Sequence, residues 1–178
     1  MKTNLFNKYT FETPLGACTL YWDENRLRGT SLDIDKRKND PTPLWISEIA
    51  KRINNHLLGN PDNFLDIHLH FEKLTPFQKK VFTIVRQIPS GQVLTYKEIA
   101  IKAKSPLACR AIGQIMSRNP FPFIIPCHRV IGTNTLGGFS LKGGSKTKEL
   151  MLQREGYIYF TPQSKLCHNR QKVMPKNK

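Results

Sequence analysis

Thr95-Tyr96-Lys97-Glu98-Ile99-Ala100-Ile101-Lys102-Ala103-Lys104-Ser105-Pro106-Leu107-Ala108-Cys109-Arg110 contains two helix starts within a dozen residues. Thr95 with Glu98 three residues on is a capping box, in which each side chain satisfies the other residue's backbone N–H. It predicts a short helix through Ile99, Ala100 and Ala103. Ser105 followed by Pro106 reads as a second cap with a first-turn proline, opening a helix to about Arg118. On that helix Ala108, Ile112, Ile115 and Met116 fall on one side, and Arg110, Gln114 and Ser117 on the other. Ala111 and Gly113 are small enough for a partner to approach the backbone closely. Two short helices joined so tightly have the layout of a helix-turn-helix, with a plain helical hairpin equally compatible with the pattern.

Upstream, Thr75-Pro76-Phe77-Gln78 is another capping box, and Phe77, Val81, Phe82, Val85 and Ile88 line one helical face as far as Pro89-Ser90-Gly91. The first part of the chain reads as a small α/β unit. Residues 9–12, 17–22 and 27–32 have strand character, and residues 45–58 carry apolar positions at helical spacing. Residues 64–71 alternate with period two and are expected to form a strand with Asp66, His68 and His70 on its wet face. That trio is read as an ordinary exposed face rather than a metal cluster.

Downstream, Asn119-Pro120-Phe121-Pro122-Phe123-Ile124-Ile125-Pro126 cannot be helical, because three prolines push their predecessors toward extended geometry. It is expected to act as a stiff strut. A glycine-rich loop over residues 136–144 carries Phe139 as a candidate pocket wall. A last helix over residues 146–156 should turn Leu150, Met151 and Leu152 inward and end near Glu155. Residues 163–178 form a basic, polar tail.

The strut delivers Pro126-Cys127-His128-Arg129-Val130, a thiol beside an imidazole and a cation in an apolar setting. A base or positive charge near a cysteine lowers its pKa and makes it a nucleophile, so Cys127 is the candidate reactive atom. With Glu155 the group reads as nucleophile, base and orienting acid. The other cysteines, Cys18, Cys109 and Cys167, form no Cys-x-x-Cys pair, which argues against a zinc knuckle or a redox dithiol.

Charge points to the partner. The net charge is +15, yet residues 1–73 carry ten Lys/Arg and ten Asp/Glu, whereas residues 74–178 carry eighteen Lys/Arg against Glu98, Glu149 and Glu155. The whole excess lies in the part that holds Cys127, as a polyanion-binding surface requires, and nucleic acid is the commonest such partner. No apolar run approaches the roughly 18 residues of a membrane span, and the start lacks a secretory h-region. The expected address is cytoplasmic, or nuclear in a eukaryote. Nothing calls for a membrane, an obligate protein partner or more than a monomer.

On these residues the chain resembles the O6-alkylguanine-DNA alkyltransferases, the methylated-DNA–protein-cysteine methyltransferases. The markers are Phe77-Gln78, Ile88-Pro89-x-Gly91, Thr95-Tyr96, Arg110-Ala111-x-Gly113, Asn119-Pro120, Pro126 to Val130, and Glu155-Gly156. The resemblance implies an α+β fold. A small ribonuclease-H-like α/β domain (residues 1–73) precedes a mostly helical domain (residues 74–162) with a winged helix-turn-helix, and a tail (residues 163–178) follows.

The resemblance also implies a function: irreversible, single-turnover transfer of the alkyl group from O6-alkylguanine in double-stranded DNA, with O4-alkylthymine as a second candidate lesion. Cys127 is then the acceptor, His128 its base through a bridging water, and Glu155 the orienting carboxylate. Asn119 ties the strut to the recognition helix. Tyr96 crowds the phosphate and donates a proton to the departing guanine. Arg110 fills the place of the extruded base, with Ala111 and Gln114 beside it on the DNA-facing helix. Lys97, Ser105 and Thr133 contact DNA. Met116, Phe139, Pro122 and Val130 belong to the pocket. No cofactor or metal is implied.

The chemistry is coherent by itself, since an alkyl group on O6 is reachable only once the base leaves the stack. The chain departs from the family pattern at Cys109 beside Arg110, at Phe139 where tyrosine is usual, and in the longer loop to Gly144. Three rivals remain: a lesion-binding relative without catalysis, a helix-turn-helix regulator that senses alkylators, and a thiol hydrolase. The presence of Cys127, the lack of a dimer surface in the pattern, and the adjacency of Cys127 to His128 weigh against them in turn.

Overall fold

The computed structural model describes residues 6–33, 35–72 and 74–157. The expected start of the chain, the basic tail at 163–178 and Cys167 lie outside the described residues. Strands β1 (Asn7–Thr13), β2 (Gly16–Asp23) and β3 (Arg26–Ser31) form an antiparallel meander in that order. Helix α1 (Leu44–Leu57) buries Ile46, Ile49, Ala50, Ile53, His56 and Leu57, the inward positions of a 3.6-residue repeat.

Residues 64–71 do not form the expected strand. Phe64 has φ +52° and is buried together with Ile67, a spacing of three that a strand cannot produce. Arg86 takes the carbonyls of Phe64 and Ile67, and Asp66 is bound by Arg52. Only Leu69 pairs, through an isolated parallel bridge to Leu27. The bonds of the half-buried Arg86 thus outweigh a weak alternation.

Helix α2 (Pro76–Arg86) and helix α3 (Tyr96–Lys102) start at the two predicted capping boxes, both with reciprocal hydrogen bonds. Helix α4 spans Cys109–Ser117, starting three residues later than Ser105-Pro106 suggests. Residues 105–108 instead make a turn closed by Ala108 N–H to the Ser105 carbonyl at 2.9 Å, and Ala108 caps α4 without a side-chain bond.

The proline-rich segment is not a straight strut either. Phe123 has φ +75°, and Ile125 N–H bonds the Phe121 carbonyl at 2.8 Å, so the chain folds into a buried turn. It ends in a 3-10 turn, Cys127–Arg129. Strand β5 (Val130–Ile131) then pairs in parallel with β4 (Leu94–Thr95), which leads into α3. Helix α5 (Gly144–Arg154) turns Met151 and Leu152 inward as expected, but Leu150 is exposed and Lys148 is fully buried in its stead.

The result is a mixed α/β protein with five helices and small sheets among the described residues. One continuous apolar cluster joins the meander, α1 and the helices that follow. Backbone and side-chain bonds cross it: Thr30 N–H to the Pro120 carbonyl (2.8 Å), Thr30 Oγ1–H to the Pro122 carbonyl (2.9 Å), and the Arg154 guanidinium to the Leu57 carbonyl (2.9 Å). No helix of the described residues is long and apolar enough to cross a membrane.

Candidate active site

Cys127 opens the 3-10 turn, which is fixed by Cys127 N–H to the Ile125 carbonyl (2.8 Å) and Arg129 N–H to the Pro126 carbonyl (2.9 Å). The residue is 6% exposed. Asn119 Nδ2 donates to the Ile125 carbonyl at 2.8 Å, and its Oδ1 accepts from Phe121 N–H at 3.0 Å. Asn119 thereby pins both ends of the turn that presents the cysteine, and its amide favours the ionised form of the sulfur.

Burial pushes the Cys127 pKa up. Bonds from Asn119 and the local backbone and the charge of Lys148 pull against burial without cancelling it. The resting sulfur is therefore a thiol, not the ready thiolate that a flanking His-Arg pair suggests, and its proton must be taken by a base.

His128 is fully buried and offers that base. Its Nε2 lies 2.8 Å from Glu155 Oε1. A carboxylate only accepts, so Nε2 carries the proton and Nδ1 keeps a bare lone pair. Nδ1 has no hydrogen-bond partner among the described residues. Burial lowers the His128 pKa, with Glu155 opposing, so the ring is neutral and competent to accept a proton near pH 7. For Glu155, burial would raise the pKa, but bonds from His128, His56 and Arg129 outweigh it and hold the carboxyl well below the usual range.

Arg129 does not face the sulfur. Its Nε and second terminal nitrogen grip Glu155 at 2.9 and 2.7 Å, and the other nitrogen donates to the Ile88 carbonyl at 2.6 Å. Gly91 completes the carboxylate's cradle through a long N–H contact of 3.4 Å to Oε2. Its φ is +74°, and a Cβ there would lie 2.8 Å from the Glu155 carbonyl oxygen, so the close approach requires glycine.

The cation that the sulfur does feel is Lys148, which the sequence reading missed. Its Nζ donates to the Val130 carbonyl at 2.6 Å and reaches the Gly138 carbonyl at 3.4 Å, and burial brings its pKa down to about 8. The available sign was spacing: Lys148 stands three and four residues before Met151 and Leu152 on the buried face of α5.

Cys127 opens on a cavity of about 350 Å³ lined by Tyr96, Gly113, Met116, Ser117, Gly138, Phe139 and Ser140. Three expected pocket or proton-donor residues, Tyr96, Met116 and Phe139, are brought together there. Pro122 and Val130 are both buried, with their carbonyls taken by Thr30 and Lys148. Burial and the nearby Cys127 charge raise the Tyr96 pKa, which keeps its hydroxyl protonated. Beside the cavity mouth, Arg110, Ala111 and Gln114 lie on the exposed face of α4, with Lys97 exposed on α3. Ser105 is half-buried in the turn between them, and Thr133 is exposed after β5. A Cβ on Gly113 would meet nothing, so its smallness serves access from outside and not internal packing.

His56, His128 and Glu155 each place one ligand atom within 4.8 Å of the others, a spacing a divalent cation could use. The protons oppose it. His56 Nδ1 accepts the Asp62 N–H at 3.2 Å, so Nε2 must carry the hydrogen that a metal would have to displace. The Arg129 guanidinium also occupies the same carboxylate.

Fold and site together define a mixed α/β protein in which a buried cysteine opens on a cavity beside a buried imidazole–carboxylate pair and an exposed helical face that carries Arg110. Comparison with known proteins gives the family. Residues 76–157 match the model described as 6-O-methylguanine DNA methyltransferase, DNA binding domain. A methylated-DNA–protein-cysteine methyltransferase of Methanosarcina acetivorans is 36% identical, over 82% of this chain and 96% of its own. One from Haemophilus influenzae is 31% identical, over 89% and 90%. The Mycobacterium tuberculosis OGT, solved in complex with DNA, superposes with a TM-score of 0.70 at 28% identity, over 84% of this chain and 93% of its own. The chain belongs to the methylated-DNA–protein-cysteine methyltransferases.

Proposed function

We propose that this protein repairs DNA by moving the alkyl group of O6-alkylguanine onto Cys127, once per molecule. The observation that carries the reading is the half-open cavity in which Cys127 meets Tyr96, Met116 and Phe139, beside the exposed Arg110 face of α4. Helices α3 and α4 act as a helix-turn-helix within a DNA-binding part that begins near residue 74, and residues 1–73 form a supporting ribonuclease-H-like unit.

His128 Nδ1 takes the thiol proton, Glu155, held in place by Arg129, stabilises the resulting imidazolium, and Lys148 supports the thiolate. The sulfur attacks the alkyl carbon, an S–C bond forms, and the carbon–O6 bond breaks. The electron pair leaves on guanine, which is protonated by the Tyr96 hydroxyl; the proton held on His128 restores neutrality. The thioether has no second nucleophile to remove it. Arg110 fills the gap in the stack, offsetting part of the few kcal/mol that extrusion costs.

Intact-mass and peptide mass spectrometry after mixing with a duplex containing O6-methylguanine should find one methyl group, on Cys127. Cys127→Ala should retain duplex binding and lose transfer. A methyl group elsewhere, or repeated turnover, would overturn the assignment.

A further inference from the structure

His56 stands apart from every motif quoted above. It lies on α1, in the part of the chain that carries no share of the excess charge, and is 4% exposed. Its ring is held edge-on to Phe64 at 5.4 Å. Nδ1 accepts the Asp62 N–H at 3.2 Å, which fixes the tautomer and leaves the proton on Nε2. Nε2 points at Glu155 Oε1 across 3.2 Å. That oxygen already receives His128 Nε2 at 2.8 Å and Arg129 at 2.7 Å. A histidine of α1 is thus the third donor on the oxygen that orients the base.

We infer that His56 is a positioning residue of the alkyl-transfer site, acting through Glu155 to set the basicity of His128. The inference rests on the reading of Cys127, His128 and Glu155 given above. A neutral N–H donated to a carboxylate withdraws electron density from it and weakens its hold on another proton. His56 therefore moderates the pull of Glu155 on the His128 imidazolium, and it stops Glu155 from rotating away when that imidazolium forms. The charged and titratable groups around His128 are few: Glu155 and Arg154 at the end of α5, Arg129 beside it, Cys127 before it, His56 from α1, and Lys148 behind Val130. Arg154 is engaged by the Leu57 carbonyl and Lys148 by that of Val130, which leaves His56 and Arg129 as the two groups that share Glu155 with His128.

The consequence is a coupling between the two ends of the chain that sequence spacing does not reveal. Movement of α1 relative to α5 would reach the sulfur through a single carboxylate. The Asp62 N–H that sets the tautomer belongs to a segment itself held by Arg52, which pairs with Asp62 and Asp66 at 2.6 to 2.9 Å. The support of His56 is thus built in depth.

The test compares His56→Phe, which keeps the ring volume and removes both bonds, with His56→Gln, whose amide can still reach Glu155. Wild type is first shown by mass spectrometry to methylate Cys127; if it does not, the site reading itself falls. Single-turnover transfer rates are then measured against pH, with thermal stability and methylated-duplex affinity alongside. Loss of the donor should raise the His128 pKa, so the acid limb of the Phe variant should move to higher pH by about half a unit to one unit, the scale of one hydrogen bond. Transfer at neutral pH should fall several-fold at unchanged affinity, and the Gln variant should return the limb toward wild type. Should His56→Phe not fold, His56→Asn takes its place, since it can keep the Asp62 bond but is too short for Glu155. An acid limb that stays put in the Phe or Asn variant, or moves equally in the Gln variant, would reduce His56 to packing.

Discussion

Burying a thiol, an imidazole, a carboxylate, a guanidinium and an ammonium within a few residues of one another is costly unless each finds its complement. Here Glu155 collects donors from His56, His128 and Arg129, while Lys148 is satisfied by the Val130 and Gly138 carbonyls. Lys148 exposes the trade most clearly. Lys148→Met would strand the Val130 carbonyl in a dry interior, at a cost of about 1–3 kcal/mol in urea denaturation. It would also remove the cation that opposes the upward shift of the Cys127 pKa. Iodoacetamide labelling of Cys127 against pH should therefore show its midpoint moving upward in the variant. The stability profile provides a second check. Lys148 titrates near 8 in the fold against about 10.5 for an exposed lysine, so above pH 8 the unfolded chain holds the extra proton. Wild-type stability should gain from this group as pH rises from about 8 to 10.5, and Lys148→Met should lack the gain.

Elements differ in how openly their residues declare them. The starts of α2 and α3 were legible because Thr75/Gln78 and Thr95/Glu98 are complete local circuits, closed within four residues. The start of α4 was not, because Ser105-Pro106 fits either a cap or a turn, and the buried Ala103 and half-buried Ala108 chose the turn. Residues 64–71 misled for a similar reason: their fate is set by Arg86 and Arg52, which lie outside the segment. Cys127, His128, Asn119 and Glu155 could be named from motif order, whereas Lys148 and His56 act across elements and leave only a faint helical spacing. The same distinction separates two substitutions on α3 and α4. Thr95→Ala breaks a cap and should cost about 1 kcal/mol of stability. It also loosens the residue preceding Tyr96, so its transfer rate should fall with it. Arg110→Ala removes an exposed charge that has no hydrogen bond or ion pair among the described residues. Its melting temperature should stay at the wild-type value while duplex affinity drops and the salt dependence flattens by about one unit of slope. Loss of stability in Arg110→Ala, or an unchanged salt slope, would remove α4 from the DNA-facing surface.

At the scale of the molecule, the apolar cluster runs without a break from the β1–β3 meander to α5, and polar bonds from Thr30, His56 and Arg154 stitch the same boundary. The two tryptophans, Trp22 and Trp45, both lie in the first part, whereas four of the five helices lie in the second. Tryptophan fluorescence and far-UV circular dichroism therefore report on opposite sides of that boundary, and a cooperative fold requires their urea transitions to coincide. Acid provides the sharper form of the test. The His128 pKa is depressed by burial, so the stability associated with its neutral form is present above about 6.5 and is lost as pH falls below it. Glu155, Asp62 and Asp66 are also depressed, Asp66 to about 2, and their contribution is present above the ordinary carboxylate range and lost at lower pH. The urea midpoint should begin to fall below pH 6.5 and fall faster below about 4.5, with both probes moving together because His128 and Glu155 sit on the boundary itself. Glu155→Gln should lower the midpoint at pH 7 and shallow the acid slope, since a neutral amide has no proton to gain. Two separated transitions, with fluorescence surviving after the helical signal has gone, would mean that the halves are joined too weakly for α1 to influence the sulfur at all.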